Sequence, residues 1–246
     1  MLRRAAVVAL ATVLGSACIP DLSFLQPPPA PPPLGSATDV DGNRYATVVI
    51  GTQEWMASNL KATRYNDGTP ILITEDAFVW ANLSNGSYSW YDNDIANKDL
   101  YGALYNWYVI EYLVLRSRID DICPTNFSLP NNDTWTALVH ALGSPAAASG
   151  ALKEAGTSHW DPPNTAATNE SGFTALPAGD RDETGAFVSK GQSGSWWSSD
   201  DSDTPDLAVA SFFYLDDTST TYSATVASHP LVDGLSIRCM REVTPN

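Results

Sequence analysis

An α+β fold is what the sequence predicts, and three observations carry that prediction. A few segments have helical periodicity with capping residues at their ends. Many more are short, β-branched and apolar, bounded by Gly, Asn and Asp. Long irregular stretches rich in Ser, Thr, Asp and Pro separate the two kinds, so helices and strands do not alternate as they would in a parallel α/β sheet. Of 246 residues, 43% are hydrophobic and 17% charged, a balance that supports a packed core.

In chain order, the first element is an address. Met1-Leu2-Arg3-Arg4 is basic, residues 5–14 are small or apolar apart from Thr12, and Gly15-Ser16-Ala17-Cys18 follows. This is the pattern of a secretory signal peptide over residues 1–17, with an apolar run too short for a permanent membrane span. Cys18 stands where a bacterial lipoprotein carries its lipid, although Gly15 occupies the position where Leu is usual. Lipidation at Cys18 would anchor the protein in a bilayer; the alternative is plain cleavage near Ala17, leaving an idle thiol. Removing residues 1–17 takes away Arg3 and Arg4 and deepens the acid excess. Pro27 to Pro33 then holds six prolines and one alanine. Such a run favours polyproline II, a strut rising about 3.1 Å per residue. We read residues 18–36 as a tether and residues 37–246 as one domain.

Within that domain, residues 45–50 read as a strand after an Asp41-Gly42-Asn43 turn. A helix is expected from Tyr101, where Leu104, Tyr105, Tyr108, Tyr112 and Leu115 keep its period. A second is expected over 131–143, with Trp135, Leu138, Val139 and Leu142 on one face, Asn131 or Asn132 as cap and Gly143 at the end. A third runs from Pro145 to Ala155, with Ser144 as cap and Pro145 at the first helical position. Strands follow at 207–215 and 220–227. In a terminal strand, Leu235, Ile237 and Cys239 share one face, with Ser236, Arg238 and Met240 opposite.

The charge narrows the partners. With 28 Asp and Glu against 13 Lys and Arg, the net charge is −15 and the isoelectric point near 4.3. Nucleic acid is not expected as a partner, because phosphate binding needs a basic face. An acidic polymer would be repelled, so the partner is expected to be neutral or basic. The three cysteines have no zinc-ligand spacing. An exported chain meets oxidising conditions, so Cys123 and Cys239 are expected to form a disulfide.

Several segments together resemble a known family. IGTQEWMASNL at 50–60, YGALYNW at 101–107, CPTNFSLP at 123–130, NESGFTALPAG at 169–179, WWSS at 196–199 and GLSIRC at 234–239 are similar, in order, to the motifs of the Fibrobacter succinogenes major paralogous domain family. The chain departs from that pattern at three places. Asn126-Phe127 replaces a usual Gly-Trp, Thr134 a usual Glu, and Asp180 stands where the family often has Tyr. The resemblance implies a C-type-lectin-like fold, related to that of the formylglycine-generating enzymes, in bacterial surface lipoproteins. It implies little about chemistry.

Most motif residues read as framework: Trp55, Trp107 and Trp135 sit in apolar patterns. The segment Trp196-Trp197-Ser198-Ser199-Asp200-Asp201-Ser202-Asp203 differs. Neighbours in a strand point oppositely, so one Trp is expected in the core and the other exposed. Trp196, Trp197, Asp200, Asp201 and Asp203 are therefore the candidate ligand-binding residues. The carboxylates can hold Ca²⁺, but the run lacks EF-hand spacing and the calcium tripeptides of sugar-binding lectins, and a solvated acidic loop is the favoured account. No G-x-S-x-G or H-E-x-x-H motif occurs, His140, His159 and His229 are scattered, and no catalytic or metal residue is assigned. The expected function is a lipoprotein binding module of the cell envelope, anchored at the outer membrane or cell surface and recognising a glycan or protein through loops. A ligand-free structural component and a secreted hydrolase are the alternatives.

Overall fold

A computed structural model describes residues 35–114, 121–201, 209–218 and 223–244. All lie in one compact unit, Pro31–Asn246. Cys18, the signal peptide and the proline run fall outside the described residues. The chain is mixed α+β with sheet dominant. A four-stranded antiparallel sheet has the order β1 (Gly35–Thr38), β2 (Arg44–Ile50), β3 (Gln53–Met56), β12 (Met240–Glu242). A three-stranded antiparallel sheet joins β9 (Ser193–Asp201), β10 (Val209–Asp216) and β11 (Ser223–Pro230), with β10 central. Two small sheets complete it: β4 (Leu72–Ile73), β5 (Ser87–Ser89) and β6 (Leu104–Tyr105), then β7 (Asp180–Arg181) with β8 (Phe187–Val188).

The strands divide two cores between their faces. Trp197, Phe212 and Ala210 pack with Tyr105, Trp107, Leu235, Ile237 and Cys239. Trp196, Phe213 and Leu215 pack on the other side with Trp55, Trp135 and Phe173. The period of two along β9 and β10 thus sends alternate residues into different cores instead of one core and solvent. β2 and β3 do the same, with Tyr45 and Met56 in the first core and Val48, Ile50 and Trp55 in the second.

The helices keep their expected caps. α4 (Asn132–Ala141) starts at Asn131, whose side chain accepts from Thr134 N. α5 (Pro145–Leu152) starts at Ser144, which accepts from Ala147 N, with Pro145 in the first turn. It stops short of Ala155, because Lys153 turns extended and bridges to Ala175.

The expected helix from Tyr101 is corrected. Short helix α2 (Lys98–Tyr101) ends there, Leu104 and Tyr105 form β6, and α3 (Tyr108–Val114) begins only afterwards. Gly102 breaks the run at φ 77°, where a Cβ would meet Asn59 Cβ at 2.7 Å and Leu60 O at 2.8 Å. Tyr105 then exchanges backbone hydrogen bonds with Leu235. The terminal segment is corrected too. Residues 235–239 alternate faces as expected, but of these only Leu235 and Ser236 make isolated bridges, and Met240–Glu242 form the strand. At the other end, β1 begins at Gly35, so regular structure starts inside the stretch read as tether.

Candidate functional site

Five of the six motif blocks meet at Asn59 and Arg238, and the sixth, 123–130, is joined to them through Cys239. Asn59 Nδ2 donates to Tyr101 O and Ser236 Oγ, at 2.9 and 3.1 Å. Asn59 Oδ1 accepts from Trp196 Nε1 (2.8 Å) and from Arg238 Nε and Nη2 (3.1 and 2.6 Å). Arg238 Nη1 donates to Phe173 O, and the guanidinium lies 4.2 Å from the Phe173 ring centroid. Burial pushes the Arg238 pKa down to about 9. Cys123 and Cys239 are bonded to each other next to Arg238 in sequence, which ties the segment before α4 to the residue that leads into β12. These residues hold the fold together and face no solvent.

That burial corrects the expected ligand platform. Trp196 and Trp197 are 0% and 1% exposed. Trp197 Nε1 donates to Tyr105 O at 2.7 Å, and its ring meets Trp107 edge-on. Neither indole has a free face, because both sides of β9 are covered. Asp200 is engaged as well: its Oδ2 accepts from the backbone N–H of Asn132 at 2.8 Å, at the start of α4. That is a favourable place for a negative charge. Asp201 ends β9 opposite Ala210, and Asp203 lies outside the described residues. Among the described residues, no three His, Cys, Asp or Glu side chains gather into a metal-holding group.

A second buried charge cluster has a different character. Asp180, on β7, lies with Ser195, His229 and Asp233. His229 Nδ1 and Asp233 Oδ2 form a short contact. Asp180 Oδ1, Ser195 Oγ and Asp233 Oδ1 are buried without a hydrogen-bond partner. Burial lifts the Asp180 pKa to about 6; the charge of His229 offsets this in part, and Asp233 adds to it. Burial opposes protonation of His229, but the bond to Asp233 and the charges of Asp233, Asp180 and Glu183 hold its pKa above the ordinary value.

The third region was not anticipated. Eight large hydrophobic residues are exposed among the described ones, and six fall between positions 72 and 100: Leu72, Ile73, Phe78, Val79, Ile95 and Leu100. Scattered exposed apolar residues need no explanation, but grouped ones do. The group is held firmly. Arg181, buried beneath it, donates from Nη1 to Thr74 O, from Nη2 to Glu75 O and from Nε to Gly185 O. Its guanidinium stacks on Trp80 and Phe187, with centroid distances of 4.3 and 4.7 Å. Asn93 Nδ2 also donates to Glu75 O, at 2.9 Å, which joins the turn carrying Ile95 to the segment carrying Ile73 and Phe78. Helix α1 (Ala77–Ala81) is capped by Asp76, buries Trp80 and leaves Phe78 79% exposed. A sequence signal existed: in ILITEDAFVW, seven apolar residues crowd around Glu75 and Asp76 in a stretch too short to bury them all.

A model of the Fibrobacter succinogenes major domain matches residues 48–241. The chain belongs to that family. Searches of curated proteins and of solved structures match nothing. The matched span runs from inside β2 to inside β12, so the Asn59–Arg238 hub and the apolar ledge both lie within it.

Proposed function

We propose that this Fibrobacter succinogenes major domain is a binding module displayed on the bacterial envelope through a lipid at Cys18, C-type-lectin-like in arrangement, that acts by recognition and not by catalysis. One observation carries the reading: six of the eight large apolar side chains exposed among the described residues fall on two segments, 72–79 and 95–100, which Asn93 ties together through Glu75 O, while the motif aromatics are buried. Rigid scaffolds that present loops are a common way to build binding surfaces. Here Arg181 fixes the loop backbone before any ligand arrives, which lowers the ordering cost of binding. The ligand face therefore moves from the Trp196–Asp203 segment to the Phe78 ledge.

Photocrosslinking in intact cells tests this. A benzophenone side chain would be placed at position 78, and in a control at position 49, where Val49 is the exposed apolar residue of β2. A discrete adduct at 78 and none at 49 is the expected result. No adduct at 78, or equal adducts at both, overturns the reading. Fractionating cells that express Cys18→Ala tests the anchor: the variant should leave the membrane fraction, and retention there defeats it.

A further inference from the structure

We infer that the occupant of the Phe78 ledge is a cationic, amphipathic segment of a partner protein. The inference rests on the preceding reading that this ledge is the ligand face. It is carried by the charges that share the two segments with the apolar side chains. Glu75, Asp76, Asp92, Asp94 and Asp99 are all exposed on the same two segments. Asp92 and Asp99 have lysine partners, Lys190 and Lys61. Glu75, Asp76 and Asp94 are in no ion pair among the described residues, and Asp76 and Asp94 use one oxygen each to cap Val79 N and Ala96 N.

Apolar side chains interleaved with carboxylates on the same two segments select their complement: leucine-like side chains flanked by Lys or Arg. Surface charges of one sign speed the approach of the opposite sign and disfavour the same sign. That argues against a second copy of the chain, which would bring the same carboxylates and a net charge of −15 to the contact. It also argues against the surface of an anionic bilayer. A glycan is disfavoured by the ledge itself. Leu72, Ile73, Val79 and Ile95 offer branched aliphatic surface, whereas sugars favour flat aromatic faces and convergent hydrogen-bonding groups. A short amphipathic helix is the simplest element with the required pattern, its apolar stripe laid on Phe78, Val79 and Ile95.

The test uses the purified full chain and three dye-labelled synthetic peptides, read by fluorescence anisotropy. One peptide is a short helix with a leucine stripe and lysine elsewhere. The second has Glu for Lys and the third Ser for Leu. The Leu/Lys peptide should bind best. Phe78→Ser should weaken it by about tenfold or more, as truncation of a central aromatic anchor does. A Glu75→Gln, Asp76→Asn, Asp94→Asn variant keeps both capping groups; it should weaken binding and flatten its salt dependence. Both variants should melt like the parent.

Other outcomes overturn the inference in distinguishable ways. If the Leu/Glu peptide binds as tightly, or a glycan binds and Phe78→Ser abolishes it, the ledge remains the ligand face and the cationic partner is wrong. Self-association abolished by Phe78→Ser makes the ledge a self-contact and also excludes the cationic partner. If no peptide binds, the cationic partner is wrong. If the Ser/Lys peptide binds equally, or Phe78→Ser changes nothing, attraction is diffuse charge and the ledge reading falls with the inference.

Discussion

Arg238 and Asp180 are both ionisable side chains taken out of water, and the protein surrounds them differently. Arg238 is in no ion pair among the described residues, yet its Nε, Nη1 and Nη2 all donate to protein acceptors and its plane lies on an aromatic ring. Asp180 has an imidazole and a second carboxyl for neighbours, and its Oδ1 receives no hydrogen bond. A buried group costs little when each polar atom is answered and several kcal/mol when it is not. The first arrangement is therefore a cross-link between motif blocks. The second leaves buried carboxyl oxygens unanswered.

The largest effect is expected at the saturated site. Asn59→Leu removes the acceptor shared by Trp196 and Arg238 and leaves a buried guanidinium facing aliphatic carbon. Breaking one side of a buried polar pair costs about 3–5 kcal/mol. Urea melts should show a loss of that order; a loss under about 1 kcal/mol would mean that water reaches Arg238 and that the hub is not a cross-link. Next comes the disulfide. Cys123 and Cys239 are 116 residues apart in sequence. In the loop-entropy model, closing such a loop is worth at most about 4–5 kcal/mol, and measured values are often lower. The Cys123→Ser, Cys239→Ser double variant should lose about 2–4 kcal/mol, and thiol counting on the unreduced parent should find neither thiol free. Two reactive thiols would defeat the pairing.

What the sequence could and could not show follows from the same distinction. Periodicity and caps located α4 and α5, because Asn131 and Ser144 bond to backbone only three residues ahead. It failed at Leu104 and Tyr105, whose helical spacing is real but whose backbone partner, Leu235, is far away in the chain. Alternation along β9 correctly sent Trp196 and Trp197 to opposite sides. It could not say that both sides are covered, since the covering residues come from 55–60, 105–107 and 173. The Phe78 ledge was missed for a related reason: burial of Trp80 and exposure of Phe78 depend on Arg181, about a hundred positions later.

At the Asp180 cluster the predicted effect is smaller and has the opposite sign. The folded pKa of Asp180 is about 6, above its ordinary value of 3.8, and that of His229 is also raised. A group with a raised folded pKa supports the fold below its unfolded pKa, and that support fades as pH rises through the folded one. Stability should therefore fall as pH goes from 5 to about 7.5. Asp180→Asn removes the charge and puts a neutral amide near Ser195 and Asp233. It should stabilise the protein by about 1–2 kcal/mol at pH 7.5 and flatten the melting temperature between pH 5 and 7.5. A variant with an undiminished pH slope would show that Asp180 is already hydrated and ionised.

The smallest effect separates Asp180 from Asp200, two aspartates with opposite uses. Asp200 is answered: its Oδ2 takes the Asn132 N–H at 2.8 Å, where the first turn of α4 has unpaired donors and the positive end of the helix dipole. Removing such an acceptor costs about 1 kcal/mol, and for a domain of this size that is roughly 2–4 °C in melting temperature. Asp200→Ala should show that loss and no more. The same variant decides whether the acidic end of β9 serves a cation. An oxygen bound to a backbone N–H at a helix start sits beside partial positive charge, a poor place for Ca²⁺. Calcium at millimolar concentration should therefore leave the melting temperatures of parent and Asp200→Ala unchanged. If calcium stabilises the parent and Asp200→Ala abolishes the gain, Asp200 is a metal ligand and its contact with α4 is secondary.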